Sequence, residues 1–175
     1  PMFNIESGFF DSAVEIILSS NDSDVEIYYT LDGSFPDNNS STYTGPITIN
    51  NTTVIRAIAI SQDPNLLSSF SETNTYFIND SHTVYVISIA GDEVDDLING
   101  DYGNRPVGSF EIFDQNGELI DEAVGEFNKH GNDSWAYAQR GVDYIIRDQY
   151  GYNHAINDKL FTTKNRESFQ RLILK

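Results

Sequence analysis

The residues best suited by type and spacing to do chemistry are Lys129-His130-Gly131-Asn132-Asp133-Ser134, with Arg140 and Arg147 following. A glycine admits close backbone approach to a ligand. The amides of such a turn, with the Ser134 hydroxyl, can donate to an oxyanion, and two guanidinium groups add charge-assisted hydrogen bonds. This pattern marks Gly131, Ser134, Arg140 and Arg147 as candidate phosphate contacts. The same residues also read as a glycine-containing strand connection whose arginines offset nearby acids. A second candidate is aromatic. Tyr28, Tyr29 and Tyr43 offer flat faces for a sugar ring, but strand alternation sends Tyr28 and Tyr29 to opposite sides, so one of them belongs to the core. Tyr43 is therefore the candidate glycan contact.

Other chemistries lack their residues. The chain has no cysteine, which excludes disulfides, thiolate zinc sites and cysteine nucleophiles. No Gly-x-Ser-x-Gly elbow is present for a serine hydrolase. His82, His130 and His154 fall at no spacing that places two of them on one face as metal ligands. Asp95 and Asp96 are adjacent on a predicted helix and diverge, so they do not form a glycosidase pair. Asp22, Asp24, Asp32 and Asp37 lie in turn sequences, and nothing resembles the twelve-residue calcium loop with its glycine and terminal glutamate.

Charge narrows the partners. The 175 residues carry 27 Asp+Glu against 10 Lys+Arg, a formal net charge of −17, which repels nucleic acid and anionic membrane. No segment approaches the roughly 20 apolar residues of a membrane span. At 39% apolar and 13% aromatic residues, the chain can still fill a core. The charge is split unevenly. Residues 1–79 hold ten acids and one base, Arg56, whereas residues 80–175 hold 17 acids and nine bases. An anion site is therefore expected in the second part.

The elements that must position these residues are mostly strands. Ile outnumbers Leu 19 to 9, a β-branched excess. Strands are predicted over 14–20, 25–31, 47–50, 53–61 and 75–78, separated by turn chemistry at Asp32-Gly33, Pro36-Asp37-Asn38-Asn39, Gly45-Pro46 and Asn50-Asn51. In the run 53–61, Val54, Ala57 or Ile58, and Ile60 are expected to point inward. Beyond residue 80, strands are predicted over 83–90, 107–113, 118–129, 142–147 and 169–174. A short helix over 92–99 is expected to be capped by Asp92, and a hairpin turn falls at Gln115-Asn116-Gly117.

Ile27 to Ile49 reads IYYTLDGSFPDNNSSTYTGPITI. This segment, with TVIRAIAIS at 53–61, resembles the chitobiase C-terminal domain, an Fn3-like module found beside chitobiases and hexosaminidases. The segments TVYVISIAGDEVDDLI, VGSFEIFDQNGELI, GEFNKHGNDSWAYAQRGVDYIIRDQYG and FQRLILK resemble the N-terminal part of a CotH kinase-like domain. There the glycine loop is Gly131 to Ser134, and Arg140-Gly141 stands where that family usually has a lysine. The resemblances imply a mainly β chain. An Fn3/Ig-like β-sandwich at 1–79 is followed by a partial α+β CotH-like (atypical kinase-like) domain at 80–175.

The expected role is that of an extracellular or cell-surface bacterial protein, with Asp11-Ser12-Ala13 matching the short O-glycosylation pattern of Bacteroidetes. The sandwich is expected to act as a spacer or adhesion module toward other surface proteins or glycans, with no nucleic-acid partner and no membrane insertion. The chain reads as a piece of a longer protein and as non-catalytic by itself, with no cofactor of its own. An atypical kinase using ATP and a divalent metal further along the parent, or a carbohydrate-binding accessory, are the alternatives. Self-repulsion at −17 predicts that salt stabilises the fold. The thermal midpoint should rise between about 0.01 M and about 1 M NaCl, as the screening length falls from roughly 30 to roughly 3 Å; a flat profile would remove the argument.

Overall fold

Alternating and β-branched runs in the first 79 residues become short, mostly antiparallel strands, and the turn residues between them set their ends. The computed structural model describes every residue except Gln139, and every side chain except those of Gln139, Asp133 and Ser134. The chain is mainly β, in several sheets. It divides into two compact units, Pro1–Val86 with Phe113–Leu119, and Ile87–Ile112 with Ile120–Lys175.

The first unit contains β1 (Met2–Phe3), β2 (Gly8–Phe10), β3 (Val14–Ile16), β4 (Leu18–Ser19), β5 (Val25–Thr30), β6 (Ser41–Thr42), β7 (Ile47–Ile49), β8 (Thr53–Ser61) and β9 (Glu72–Ile78). A five-stranded sheet runs β2-β9-β8-β5-β6, and two small sheets pair β3 with β7 and β1 with β4. Ile16, Leu18 and Ile49 from the small sheets share one core with Ile27, Ile55, Ala57, Ala59, Tyr76 and Ile78 of the large one. That is sandwich packing, with the inner faces of both layers apolar.

Two expectations change here. The predicted run 14–20 is two strands, because the Asn4 side chain intervenes. Its Oδ1 accepts from the Ile17 amide (2.7 Å) and its Nδ2 donates to the Glu15 carbonyl (3.1 Å). The chain therefore switches partner, from β7 to β1, at Ile17. In β8 the inward set is Ile55, Ala57 and Ala59, while Arg56 and Ile58 are buried on the opposite face. Both faces of this central strand are covered, so alternation carries no apolar-to-polar contrast. Arg56 Nε donates to Ser71 Oγ (3.2 Å), and its guanidinium lies 4.9 Å from the centre of the Phe35 ring.

The second unit contains β10 (Val86–Ala90), α1 (Val94–Asn99), β11 (Val107–Phe113), β12 (Leu119–Lys129), β13 (Val142–Ile146) and β14 (Arg171–Leu174), although Val86, Phe113 and Leu119 count with the first unit. These strands form one five-stranded sheet in chain order. The core packs Val94 and Leu97 of the helix against Phe110, Phe127 and Tyr144. Tyr144 stacks on Phe110 at 5.1 Å between centroids and lies 4.5 Å from Phe127. Its buried hydroxyl donates to the Ala123 carbonyl at 2.8 Å, so the polar end of the ring is satisfied inside the stack. Gly108 is required beneath this stack. A Cβ there would stand 2.4 Å from the Ala90 carbonyl oxygen and 2.9 Å from the Phe127 ring. The helix start differs from expectation: the capping position is Glu93, in the left-handed region (φ 61°), with no side-chain cap. No helix among the described residues is long and apolar enough to cross a membrane.

Turn acids recur as local staples in an Asp-x-Asn pattern. Asp37, Asp63 and Asp114 each accept the amide of the asparagine two residues on, and that asparagine's own side chain donates back to the carboxylate. These are Asx turns. The carboxyls of all three lie below the usual range. The Asp37 shift comes first from the Asn39 side-chain bond, the Asp63 shift from the Asn65 amide and the Asp114 shift from the Glu118 amide. Burial pushes the Glu72 carboxyl the other way. A carboxyl lowered by folding contributes fully above its unfolded pKa, about 4, and loses that contribution as pH falls through the folded value. Asp114→Asn keeps an acceptor and removes the charge. It should lower the thermal midpoint at pH 7 and match the parent near pH 2; a gap undiminished by acid would refute the staple.

Candidate functional site

The loop that follows β12 is built around the only tryptophan. Lys129 ends the strand, Gly131 turns the chain at φ +70°, and a 3₁₀ turn follows over Asp133–Ala136. The Trp135 indole N–H is shared between the carbonyls of His130 (3.2 Å) and Gly141 (3.1 Å), and the His130 amide donates to the Gly141 carbonyl (2.9 Å). One side chain therefore ties both ends of the loop together, while its ring packs against the second unit's core.

Around that indole the structure gathers an aromatic and cationic surface. Tyr102, 66% exposed, meets Trp135 edge-on at 6.1 Å. The Lys129 ammonium lies 4.7 Å from the Tyr102 ring centre and 5.5 Å from that of Trp135. The Arg140 guanidinium is 5.9 Å from Trp135, and its Nη1 donates to the Ile98 carbonyl (3.0 Å) in the last turn of α1. That turn carries no basic residue of its own, so Arg140 supplies the cation that a helix C-terminus favours.

The opposite face of β13 is organised by Asp143. Val142, Tyr144 and Ile146 enter the core, so Asp143 points to the other side. Its carboxylate accepts from Arg171 Nη2 (2.6 Å) and Nε (3.3 Å), and His130 Nδ1 lies 3.1 Å away. Burial alone would raise this carboxyl. The Arg171 and His130 hydrogen bonds, with their charges, bring it below the usual range. An ionised carboxylate only accepts, so His130 Nδ1 carries the hydrogen.

The predicted phosphate contacts are engaged separately. Gly131 forms the turn, and Arg140 places Nη1 on the helix end and its guanidinium beside the indole. Arg147 donates from Nε and Nη2 to Glu126 Oε2, at 3.2 and 3.1 Å. The Ser134 side chain lies outside the described residues. Tyr43 is half-buried against the sandwich core, its amide donating to the Ile27 carbonyl (2.8 Å). Among the described residues no group of three His, Asp or Glu side chains is arranged to hold a metal. Sequence reasoning missed Tyr102, Trp135, Asp143 and Arg171. A lone tryptophan between two basic residues, beside a glycine turn, was the available signal.

Comparison with known families gives a match in the first part of the chain. Residues 5–71 match the model of the chitobiase/beta-hexosaminidase C-terminal domain. The matched stretch begins before β2 and ends just before β9, whose pairing with β2 and β8 completes the same sheet. No curated protein and no solved structure matches the chain. The matched residues hold β2 to β8 of the sandwich, and the loop around Trp135 lies outside them. Trp135→Phe keeps a ring and removes the donor to two carbonyls. It should cost about 1–2 kcal/mol of stability and speed hydrogen exchange at the His130 amide; unchanged exchange would show that the indole does not tie the loop.

Proposed function

We propose that this chain is a non-catalytic, carbohydrate-associated module of an extracellular or cell-surface bacterial protein. The observation that carries the reading is the match of residues 5–71 to a domain family named for chitobiase and beta-hexosaminidase, on a sequence folded as a sandwich. For the glycan contact itself, the pair Tyr102–Trp135 is better suited than Tyr43. Tyr43 is partly committed to the core, whereas the Tyr102 ring is mostly exposed and stands beside a tryptophan held by two hydrogen bonds. Sugar C–H groups pack on aromatic faces, and rigid rings bind with little loss of rotamer freedom.

A second reading, a CotH-like scaffold for residues 80–175, is supported by the sequence segments named above and by a five-stranded sheet in chain order with one helix between its first two strands. Of the residues that would meet a nucleotide phosphate, Arg140 bonds the Ile98 carbonyl and Arg147 bonds Glu126, different partners inside the unit. No phosphotransfer step is assigned to them.

The test is affinity electrophoresis of the chain through gels containing chitin oligomers, soluble β-glucan or peptidoglycan fragments. At least one glycan should retard the chain without being hydrolysed. Tyr102→Ala should weaken that retardation about three- to tenfold, and Tyr43→Ala should instead lower the thermal midpoint. Absence of retardation by every glycan, or glycan hydrolysis or ATP turnover by these 175 residues, would overturn the reading.

A further inference from the structure

The last 17 residues reverse the charge of the chain. Residues 159–175 carry Lys159, Lys164, Arg166, Arg171 and Lys175 against one acid, Glu167, in a protein whose net charge is −17. Local geometry concentrates part of that charge. Ile156 and Phe169 form an isolated antiparallel bridge, each donating its amide to the other's carbonyl at 3.0 and 2.9 Å. Phe169 is buried, and extended alternation then turns its neighbours Ser168 and Gln170 outward. The bridge brings His154 and Ala155 alongside them, and these residues line an open groove of about 440 Å³ with Arg166 and Arg171.

The donors in this groove are uncommitted or fixed in place. The side chains of His154, Arg166, Ser168 and Gln170 make no hydrogen bond or ion pair with any described residue, and Arg166 rests 5.8 Å from the centre of the Phe169 ring. Arg171 uses Nε and Nη2 on Asp143, which leaves Nη1 and sets the plane of the guanidinium before any ligand arrives. A pre-oriented guanidinium loses less freedom on binding than a mobile one. At physiological ionic strength the screening length is about 8 Å, so an anion within the groove feels mainly the local charges, Arg166 and Arg171, offset in part by the Asp143 carboxylate that Arg171 already holds and by Glu167.

From this we infer that the groove formed by His154, Arg166, Ser168, Gln170 and Arg171 is an oxyanion-binding site, taking a carboxylate, sulfate or phosphate group. Arg166 and Arg171 present N–H groups suited to two oxygens of one anion, and Ser168 and Gln170 add neutral donors. The site is separate from Tyr102–Trp135 and does not depend on the carbohydrate reading.

The test is an amide-resolved NMR titration of the whole chain with sodium sulfate, sodium phosphate and sodium glucuronate at constant ionic strength, with glucose as the neutral control. Saturable shifts are expected at the amides of 154–156 and 166–171 with at least one of the three anions, and none with glucose. Whichever anion saturates identifies the source, inorganic or sugar-borne. Arg166 is exposed and carries no ion pair with any described residue, so Arg166→Gln should fold normally and weaken binding about tenfold, while Arg166→Lys should restore part of it. Should Arg166→Gln disturb the fold, Ser168→Ala gives the same test with an expected loss of a few fold. Shifts that never saturate, that spread over the surface, or that survive Arg166→Gln unchanged would overturn the site.

Discussion

The carboxylate of Asp143 is the fixed charge that orients both the Trp135 loop and the basic groove of the second unit. It sits on a strand whose other face is filled by Tyr144, and it cannot move without disturbing the aromatic stack of Phe110, Tyr144 and Phe127. From that position it holds two elements far apart in sequence. His130 begins the loop that Trp135 closes, and Arg171 begins β14 and lines the basic groove. A nearly buried carboxylate is costly to leave without donors, so its bonds to Arg171 and His130 matter more for Asp143 than for those more exposed partners. The loop and the groove are thus oriented by one group without sharing a ligand.

Acidity serves two different purposes in this chain. In turns, Asp32, Asp37, Asp63 and Asp114 accept nearby backbone amides and replace ladder bonds that the turn cannot make. These bonds explain why so many aspartates can crowd a surface of one sign: each is partly neutralised by oriented N–H dipoles. The only base among residues 1–79 is buried instead of exposed. Arg56 lies between Phe35 and Ser71 on the outer face of β8, where it offers little to screen the surface carboxylates. The remaining bases are in the second part, and several of them are held by aromatic rings or by Glu126 and Asp143.

Strand identity was legible where β-branched runs met clear turn residues. TVIRAIAIS is β8 from end to end, and VGSFEIF is β11. The faces were less legible, because alternation reports burial only when one side of a strand meets water. β8 is covered on both sides, and an arginine in its middle reads as surface. The split between β3 and β4 depends on Asn4, eleven and thirteen residues away from its two partners, a separation that no local pattern encodes. The parallel pairing of β2 with β9 is more distant still. At the helix start, Asp92 has the chemistry of a cap, but Glu93 takes the position with a left-handed backbone, so residue preference yielded to chain geometry.

The glycine loop shows the same limit for function. Its residue types, glycine, serine and arginine together, have the chemistry of an anion cradle. Whether such groups converge depends on what else claims them. Here the C-terminal carbonyls of α1 claim Arg140, and Glu126 claims Arg147. Both claims are made across the fold, 42 and 21 residues away. Trp135 takes the organising role because an indole offers a large apolar ring with a single donor, which suits a loop that must close on two carbonyls and still rest on a core. The cations left without carboxylates lie where sequence offered no motif, on a strand-like segment after a buried phenylalanine. What distinguishes Arg166 from Arg147 is that it forms no ion pair with a described carboxylate, although Glu167 is its chain neighbour, and that property is set by packing.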